Sequence, residues 1–193
     1  MPKSTSGLVL AAGGSARLGR PKQLLPFGGR TLLDHTLEVA RGCEFDQLVC
    51  VLGGAAEEVR ATVDLAGVEV VVNDVFGRGC SSSIAAALPV VSGDVLVLLL
   101  GDQPGVVPSS VRALLAGRGD APLAVCRYDD GRGHPFAFAR SVYGELAALH
   151  GDKGVWKLLD RAGPGVVEVR VPGDVPPDVD TWEDYEAALT RLA

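Results

Sequence analysis

Apolar and polar positions fall in alternating blocks along this chain, and the blocks are of two kinds. Short apolar runs at 7–12, 47–53, 67–73, 94–100, 121–127, 134–139 and 165–171 have the length and bounding residues of strands. Between them, at 31–41, 55–64, 80–91, 108–117, 141–149, 154–161 and 181–192, apolar residues recur with helical spacing. The runs at 47–53 and 94–100 are nearly unbroken, as expected of parallel strands buried on both faces. This alternation predicts a three-layer α/β/α sandwich around a mostly parallel sheet. Ligands of such sheets bind beyond the strands' carboxyl ends, where the strand order reverses. No internal repeat or low-complexity stretch interrupts the pattern. Pro172 to Pro177 reads as a stiff link before the last helix, so one domain spanning 1–193 is expected.

The first strand runs into the most informative segment. Leu8 to Ala12 is apolar and breaks into a loop holding Gly13, Gly14 and Gly19, with Arg17 and Lys22 as candidate ligand-binding cations. Glycines let backbone N–H groups approach an anion closely, and Arg and Lys supply a fork and a point charge for phosphate. A phosphate-rich ligand at this strand end follows. The common glycine motifs do not fit. After Gly14 and Gly19 come Arg20 and Pro21 rather than the Lys of a P-loop, and Pro21 and Pro26 keep the chain extended. No helix is expected to start before about Thr31, which also fails the dinucleotide fingerprint and disfavours a dehydrogenase.

Glycine is abundant (25 of 193 residues), and it clusters at the strand ends where such loops lie. The net charge of −6 argues against a general nucleic-acid surface but leaves room for a small phosphorylated ligand, which needs only local cations. The four cysteines, Cys43, Cys50, Cys80 and Cys126, have neither C-x-x-C spacing nor a histidine cluster, so zinc and redox motifs are not indicated. Cys50 and Cys126 read as buried filler. Met1 to Ser6 is polar and too short for a signal peptide, and the longest apolar run is too short to span a bilayer. A cytoplasmic protein with no membrane partner is expected.

Four further segments carry candidate chemistry. Gly101-Asp102-Gln103-Pro104 follows a buried strand, and Asp102 is placed to hold a divalent cation, or else to cap a turn. Asp178-Val179-Asp180-Thr181-Trp182-Glu183-Asp184 is a second acidic site, whose carboxylates either ligate metal or cap the final helix as a capping box. Asn73 to Ile84 ends a strand and starts a helix with Ser81, Ser82 and Ser83. The free N–H groups of a helix start favour an anion or a base edge, while Ser81 also suits an N-cap. Gly133-His134-Pro135 opens an apolar strand, with His134 structural or facing a substrate. Gly151-Asp152-Lys153-Gly154 either binds a phosphate or turns the chain.

Leu10, Ala11, Ala12, Gly13, Arg17, Gly19, Lys22, Leu24 and Leu25 together resemble the L-A-A-G-x-x-x-R-x-G-x-x-K-x-L-L signature of pyrophosphorylase-type nucleotidyltransferases. Over about residues 7–190 the chain is similar to the MobA-like NTP transferases, above all the molybdenum cofactor cytidylyltransferases. The resemblance implies a Rossmann-like, nucleotide-diphospho-sugar transferase (GT-A-like) fold and transfer of CMP from CTP to molybdopterin. Pyrophosphate leaves, molybdopterin cytosine dinucleotide forms, and handover to a molybdoenzyme can follow. It implies Mg2+ held by Asp102 and Asp180, with Arg17, Lys22 and Asp102 catalytic. Nucleotide binding falls to Leu10, Ala11, Ala12, Gly13, Gly14, Lys22, Asn73, Ser83, Gly101 and Asp102, and acceptor binding to Gln103, His134 and Asp152. Trp182 stands where the family carries proline. The cytidylyl branch reads L-A-A-G at residues 10–13 and the guanylyl branch L-A-G-G. Three alternatives stay open: another nucleotide or phosphorylated acceptor, a non-catalytic nucleotide- or cofactor-binding partner of a molybdoenzyme, and the disfavoured dehydrogenase.

Overall fold

The computed structural model describes residues 3–192; Met1 and Pro2, at the polar start, and Ala193 lie outside the described residues. The seven expected strands form one sheet. In chain order they are β1 (Thr5–Ala11), β4 (Gln47–Leu52), β5 (Glu69–Val72), β6 (Val95–Leu100), β7 (Leu123–Arg127), β8 (Arg132–Ala139) and β9 (Val166–Arg170). Their spatial order is β5-β4-β1-β6-β8-β7-β9, and only β8 runs antiparallel to its neighbours. The chain moves outward from β1 through β4 to β5, then returns to place β6 on the other side of β1. The order therefore reverses between β1 and β6, and a crevice opens at their carboxyl ends.

Side-chain alternation builds the two outer layers. Leu8 and Leu10 of β1, Val49 and Val51 of β4, and Leu96 and Leu98 of β6 face one side. They pack there against α3 (Cys80–Ala87), α5 (Tyr143–Ala147) and α6 (Gly154–Ala162). Val9, Ala11, Cys50, Leu52, Val97 and Leu99 face the other side, against α1 (Leu32–Arg41), α2 (Ala56–Thr62) and α4 (Pro108–Gly117). Cys50 and Cys126 are both fully buried, as expected of filler. Among the described residues no helix is long and apolar enough to cross a membrane.

Three local expectations change. The loop after β1 is not wholly extended: Lys22–Leu24 forms one 3-10 turn, and a two-residue hairpin, β2 (Pro26–Phe27) with β3 (Arg30–Thr31), follows it. The hairpin turns on Gly28 and Gly29, both at positive φ. The helix expected over 80–91 ends at Ala87, two residues before Pro89, whose ring cannot continue it. The helix expected over 141–149 is a 3-10 turn, Arg140–Val142, running into the short α5. The last helix, α7 (Trp182–Thr190), completes a satellite core in which Leu18, Leu25, Phe27 and Leu32 pack on Val179 and Ala188. That cluster clamps the long loop and the C-terminal segment to each other, which brings their charged residues together.

Candidate active site

The crevice between β1 and β6 gathers two basic residues of the first loop, Arg17 and Lys22, and two of the aspartates. Lys22 Nζ lies 2.5 Å from Asp102 Oδ2 and 2.7 Å from Asp180 Oδ1. Arg17 reaches the other oxygen of Asp180, at 2.7 Å. Asp102 follows directly from β6 and is half-buried, and Lys22 is only 9% exposed. Burial alone would lower the Lys22 pKa, but the Asp102 carboxylate, and then Asp180, raise it above its ordinary value. Asp180 moves the opposite way. Partial burial works against its charge, but the Lys22 and Arg17 cations prevail and hold it below the usual carboxylate range. Asp178 differs again: although its side chain reaches solvent, the protein packed around it at the cleft edge, then the nearby Asp102 charge, push it up to about 6.

The peptide around Pro176 explains how residues 78 positions apart in sequence meet. Gln103 is buried and its Nε2 donates to Pro176 O at 3.0 Å, while Val179 N donates to Asp102 O at 2.9 Å. The 172–179 link is thus laced onto the strand-end turn. Gln103 serves that lacing and does not line the cavity beside it. The capping box on α7 belongs to Thr181 and Asp184, and the Asp180 carboxylate pairs instead with Lys22 and Arg17. Gly101 fits against β1, where a Cβ would come 3.0 Å from that of Ala11. Ala11 itself points into the opposite core.

A cavity of about 580 Å³ opens beside this charge cluster. Leu10, Ala12, Gly13, Gly14, Ser83, Asp102, His134 and Asp152 all line it, so most of the expected residues converge there. Its far wall is aromatic: the His134 and Phe136 rings lie 4.0 Å apart, and Trp156 stands edge-on to Phe136 at 5.0 Å. Trp156 and Lys153 on that side, and Phe76 at the near end, were not singled out from the sequence as site residues. Phe76 is legible only through its neighbours, since a Cβ on Gly54 would lie 2.9 Å from its ring. Gln23 was also missed. Its Nε2 donates to Ala11 O and Gly13 O, at 2.6 and 3.1 Å, and so shapes the glycine loop from beneath. The glutamine directly after Lys22 in the loop was the available signal.

The start of α3 is not the free anion seat that its sequence suggested. Asp152 Oδ1 accepts from Cys80 N at 3.0 Å, and Gly151 O accepts from Ser81 N and from the Ser81 hydroxyl. Ser81 therefore ties α3 to the loop before α6 and does not cap its own helix. Asn73 is buried below this turn. Its Nδ2 donates to the hydroxyls of Ser82 and Ser83, and its Oδ1 accepts from Val75 N, so its amide holds the loop and does not line the cavity.

Burial pushes the His134 imidazole down to about 3, so the ring is neutral near pH 7. The unfolded chain binds a proton there that the folded chain rejects. The corresponding stability is complete above about pH 6.5 and drains away as the pH falls towards 3. The melting temperature is therefore expected to fall between about pH 7 and pH 4, and His134→Phe to flatten that fall while keeping the aromatic wall. Thermal denaturation across pH checks this; parallel profiles for the two proteins would assign the acid sensitivity to other groups.

The donor set for a cation is two hard carboxylates facing one point, with no third acidic, histidine or cysteine side chain assembled with them among the described residues. That set suits a metal such as magnesium or manganese whose remaining positions go to water and phosphate.

Comparison with known proteins agrees with the geometry. The family model of the MobA-like NTP transferase domain matches residues 7–166. Nicotine blue oxidoreductase of Paenarthrobacter nicotinovorans is 34% identical over 199 aligned residues, 95% of this chain and 96% of that protein. The crystal structure of a Mycobacterium sp. strain JC1 homologue of Mycobacterium tuberculosis Rv0371c is 54% identical, with a TM-score of 0.92 over 98% of each chain. Rv0371c in complex with manganese is 49% identical, with a TM-score of 0.88 over 97% of this chain and 98% of that one.

Proposed function

Because this chain belongs to the MobA-like NTP transferase family, we propose that it moves CMP from CTP to the phosphate of molybdopterin, with Mg2+ as its metal, giving molybdopterin cytosine dinucleotide and pyrophosphate. The observation that carries this reading is the meeting of Lys22, Arg17, Asp102 and Asp180 at the carboxyl ends of β1 and β6, beside a cavity with an aromatic far wall. The glycine-lined, cationic end suits a triphosphate, and the His134, Phe136 and Trp156 wall suits a flat pterin ring. Residues 10–13, Leu-Ala-Ala-Gly, support cytosine as the base by resemblance. On this reading residues 1–193 act as one cytoplasmic nucleotidyltransferase domain, and a molybdoenzyme receives the product.

The reaction needs little from the protein beyond positioning and charge. An acceptor phosphate oxygen, ionised at neutral pH, bonds to the α-phosphorus as the bond to the bridging oxygen breaks, and that electron pair leaves with pyrophosphate. Lys22 and Arg17 offset the charge on the phosphates, and Gly13 and Gly14 offer backbone N–H groups. His134, neutral near pH 7 and lining the cavity, orients the acceptor and transfers no proton in the step. Asp102 and Asp180 would hold the metal, which when bound would offset charge on the phosphate oxygens.

One observation favours a second reading. A near-full-length relative is named for an oxidoreductase activity on nicotine blue, and the aromatic wall would accept a flat heteroaromatic substrate for reduction as readily as a pterin. The deciding assay is pyrophosphate release with Mg2+ and molybdopterin, run in parallel with CTP, GTP and ATP. Release with CTP alone is the expected result. Release with another nucleotide keeps the chemistry and changes the base. No release, together with consumption of a reduced nicotinamide in the presence of a flat aromatic acceptor, would replace the transferase reading by the second.

A further inference from the structure

We propose that Lys22 is a built-in competitor for the metal ion: its ammonium occupies the point faced by Asp102 and Asp180, and an ion can take that pair only by evicting it. The proposal rests on the reading of these two aspartates as metal ligands and adds a device that controls their availability.

One nitrogen, Lys22 Nζ, sits 2.5 Å from Asp102 Oδ2 and 2.7 Å from Asp180 Oδ1. A divalent cation bonded to the same two oxygens at about 2.1 Å would compete with that nitrogen for them, and two cations crowded on one pair of carboxylate oxygens repel strongly. The carboxylates cannot easily separate to admit both. Asp102 is rooted at the end of β6, and Asp180 is held by the Val179-to-Asp102 backbone hydrogen bond and by the capping box that follows it. The ammonium is the movable party. Its backbone is anchored, with Lys22 N donating to Ser15 Oγ at 3.0 Å at the start of the 3-10 turn. Its four-carbon stem has the reach of a flexible tether.

The stem also has somewhere to go. Lys22 Cε lies 3.7 Å from where a Gly13 side chain would begin, so it passes directly over the glycine loop. An ammonium released from the carboxylates swings towards the phosphates bound there. The same ammonium offsets the electrostatic cost of holding two carboxylates close together, with Arg17 sharing the load on Asp180. Metal alone must then displace a well-paired cation with no anion to receive it.

The test is Mn2+ binding to the full chain without nucleotide, followed by electron paramagnetic resonance of the free ion, for the wild type, Lys22→Met and Asp102→Asn. Lys22→Met is expected to bind Mn2+ more tightly than the wild type, on the order of tenfold, and Asp102→Asn to bind it more weakly. Lys22→Gln, which keeps a hydrogen-bond donor for the carboxylates but no charge, is expected to follow Lys22→Met and guards against a folding defect in it. A larger rise in melting temperature on adding Mn2+ to either lysine variant than to the wild type supports the competitor independently. Binding by both lysine variants no tighter than the wild type, with Asp102→Asn weaker still, overturns the competitor while leaving the ligands in place. Unchanged binding by Asp102→Asn overturns the metal site itself.

Discussion

For the proposed transfer, Asp102→Asn is expected to cut pyrophosphate release by at least about a hundredfold while leaving the protein folded. The side chain keeps its shape and still accepts from Lys22, so the strand-end turn and its lacing to Pro176 remain. The charge is what is lost. Among the described residues Asp102 and Asp180 are the two carboxylates that meet at Lys22, and on the proposed reading removing the Asp102 charge leaves Asp180 as the one anionic ligand there. A divalent ion held by one carboxylate and water no longer has a fixed place against the phosphates, and a misplaced electrostatic group loses its effect steeply. The measurement is kcat with CTP and molybdopterin across a range of Mg2+ concentrations, with circular dichroism and the melting temperature as controls. Excess Mg2+ is expected to restore little, because the variant lacks a ligand and not merely affinity. A kcat within about threefold of the wild type, from a folded protein, would remove Asp102 from the catalytic machinery.

Gly79→Ala is expected to cost about 2–4 kcal/mol of stability, a large share of what a domain of this size holds. Gly79 sits at φ 96° and ψ 172°, a region that side-chain-bearing residues rarely enter. Space is also lacking, because an added Cβ would lie 2.7 Å from both Gly151 C and Asp152 Oδ1. The backbone of a tightly packed loop cannot yield without releasing the Asp152 bond to Cys80 N, which caps α3. Urea denaturation measures the loss through the shift in midpoint. Gly77→Ala, two residues away with no atom within 4 Å of the added methyl, is the control and is expected to cost well under half as much. Equal effects of the two would mean that the Gly151–Asp152 contact contributes nothing to stability.

Both variants probe contacts made by residues far apart in the chain, and such contacts divide what was readable from what was not. The sheet was readable because its strands obey a local rule. Val95–Leu100 and Gln47–Leu52 are apolar on both faces, and such runs have no stable place except inside a parallel sheet covered on two sides. The placement of the glycines and of Arg17 and Lys22 at a strand end was readable for a similar reason, since the apolar run of β1 stops just before them. The position of Asp102 just beyond β6 was readable from the apolar run that precedes it. Helix ends were less legible. The pattern carried the helix over 80–91 past Pro89, because apolar spacing persists where the backbone no longer can.

The partners of these residues were not readable at all. Nothing local to Asp180 indicates that Thr181 and Asp184 take over capping and free its carboxylate for a lysine 158 positions earlier. Nothing near Ser81 indicates that the cap of its helix comes from Asp152, so a helix start that looked open to an anion is occupied by the protein's own carboxylate. Gln103 and Asn73 carried the right chemistry for ligand contact, yet folding commits their amides to Pro176 and to two serines. A polar side chain in a motif declares what it can bond to, whereas the choice among protein, ligand and water depends on which groups the packed layers bring within 3 Å. Periodicity and composition settle where the crevice lies and which charges border it. The ownership of each hydrogen bond inside it is decided only when the sheet order folds β1 against β6 and the C-terminal link crosses over both.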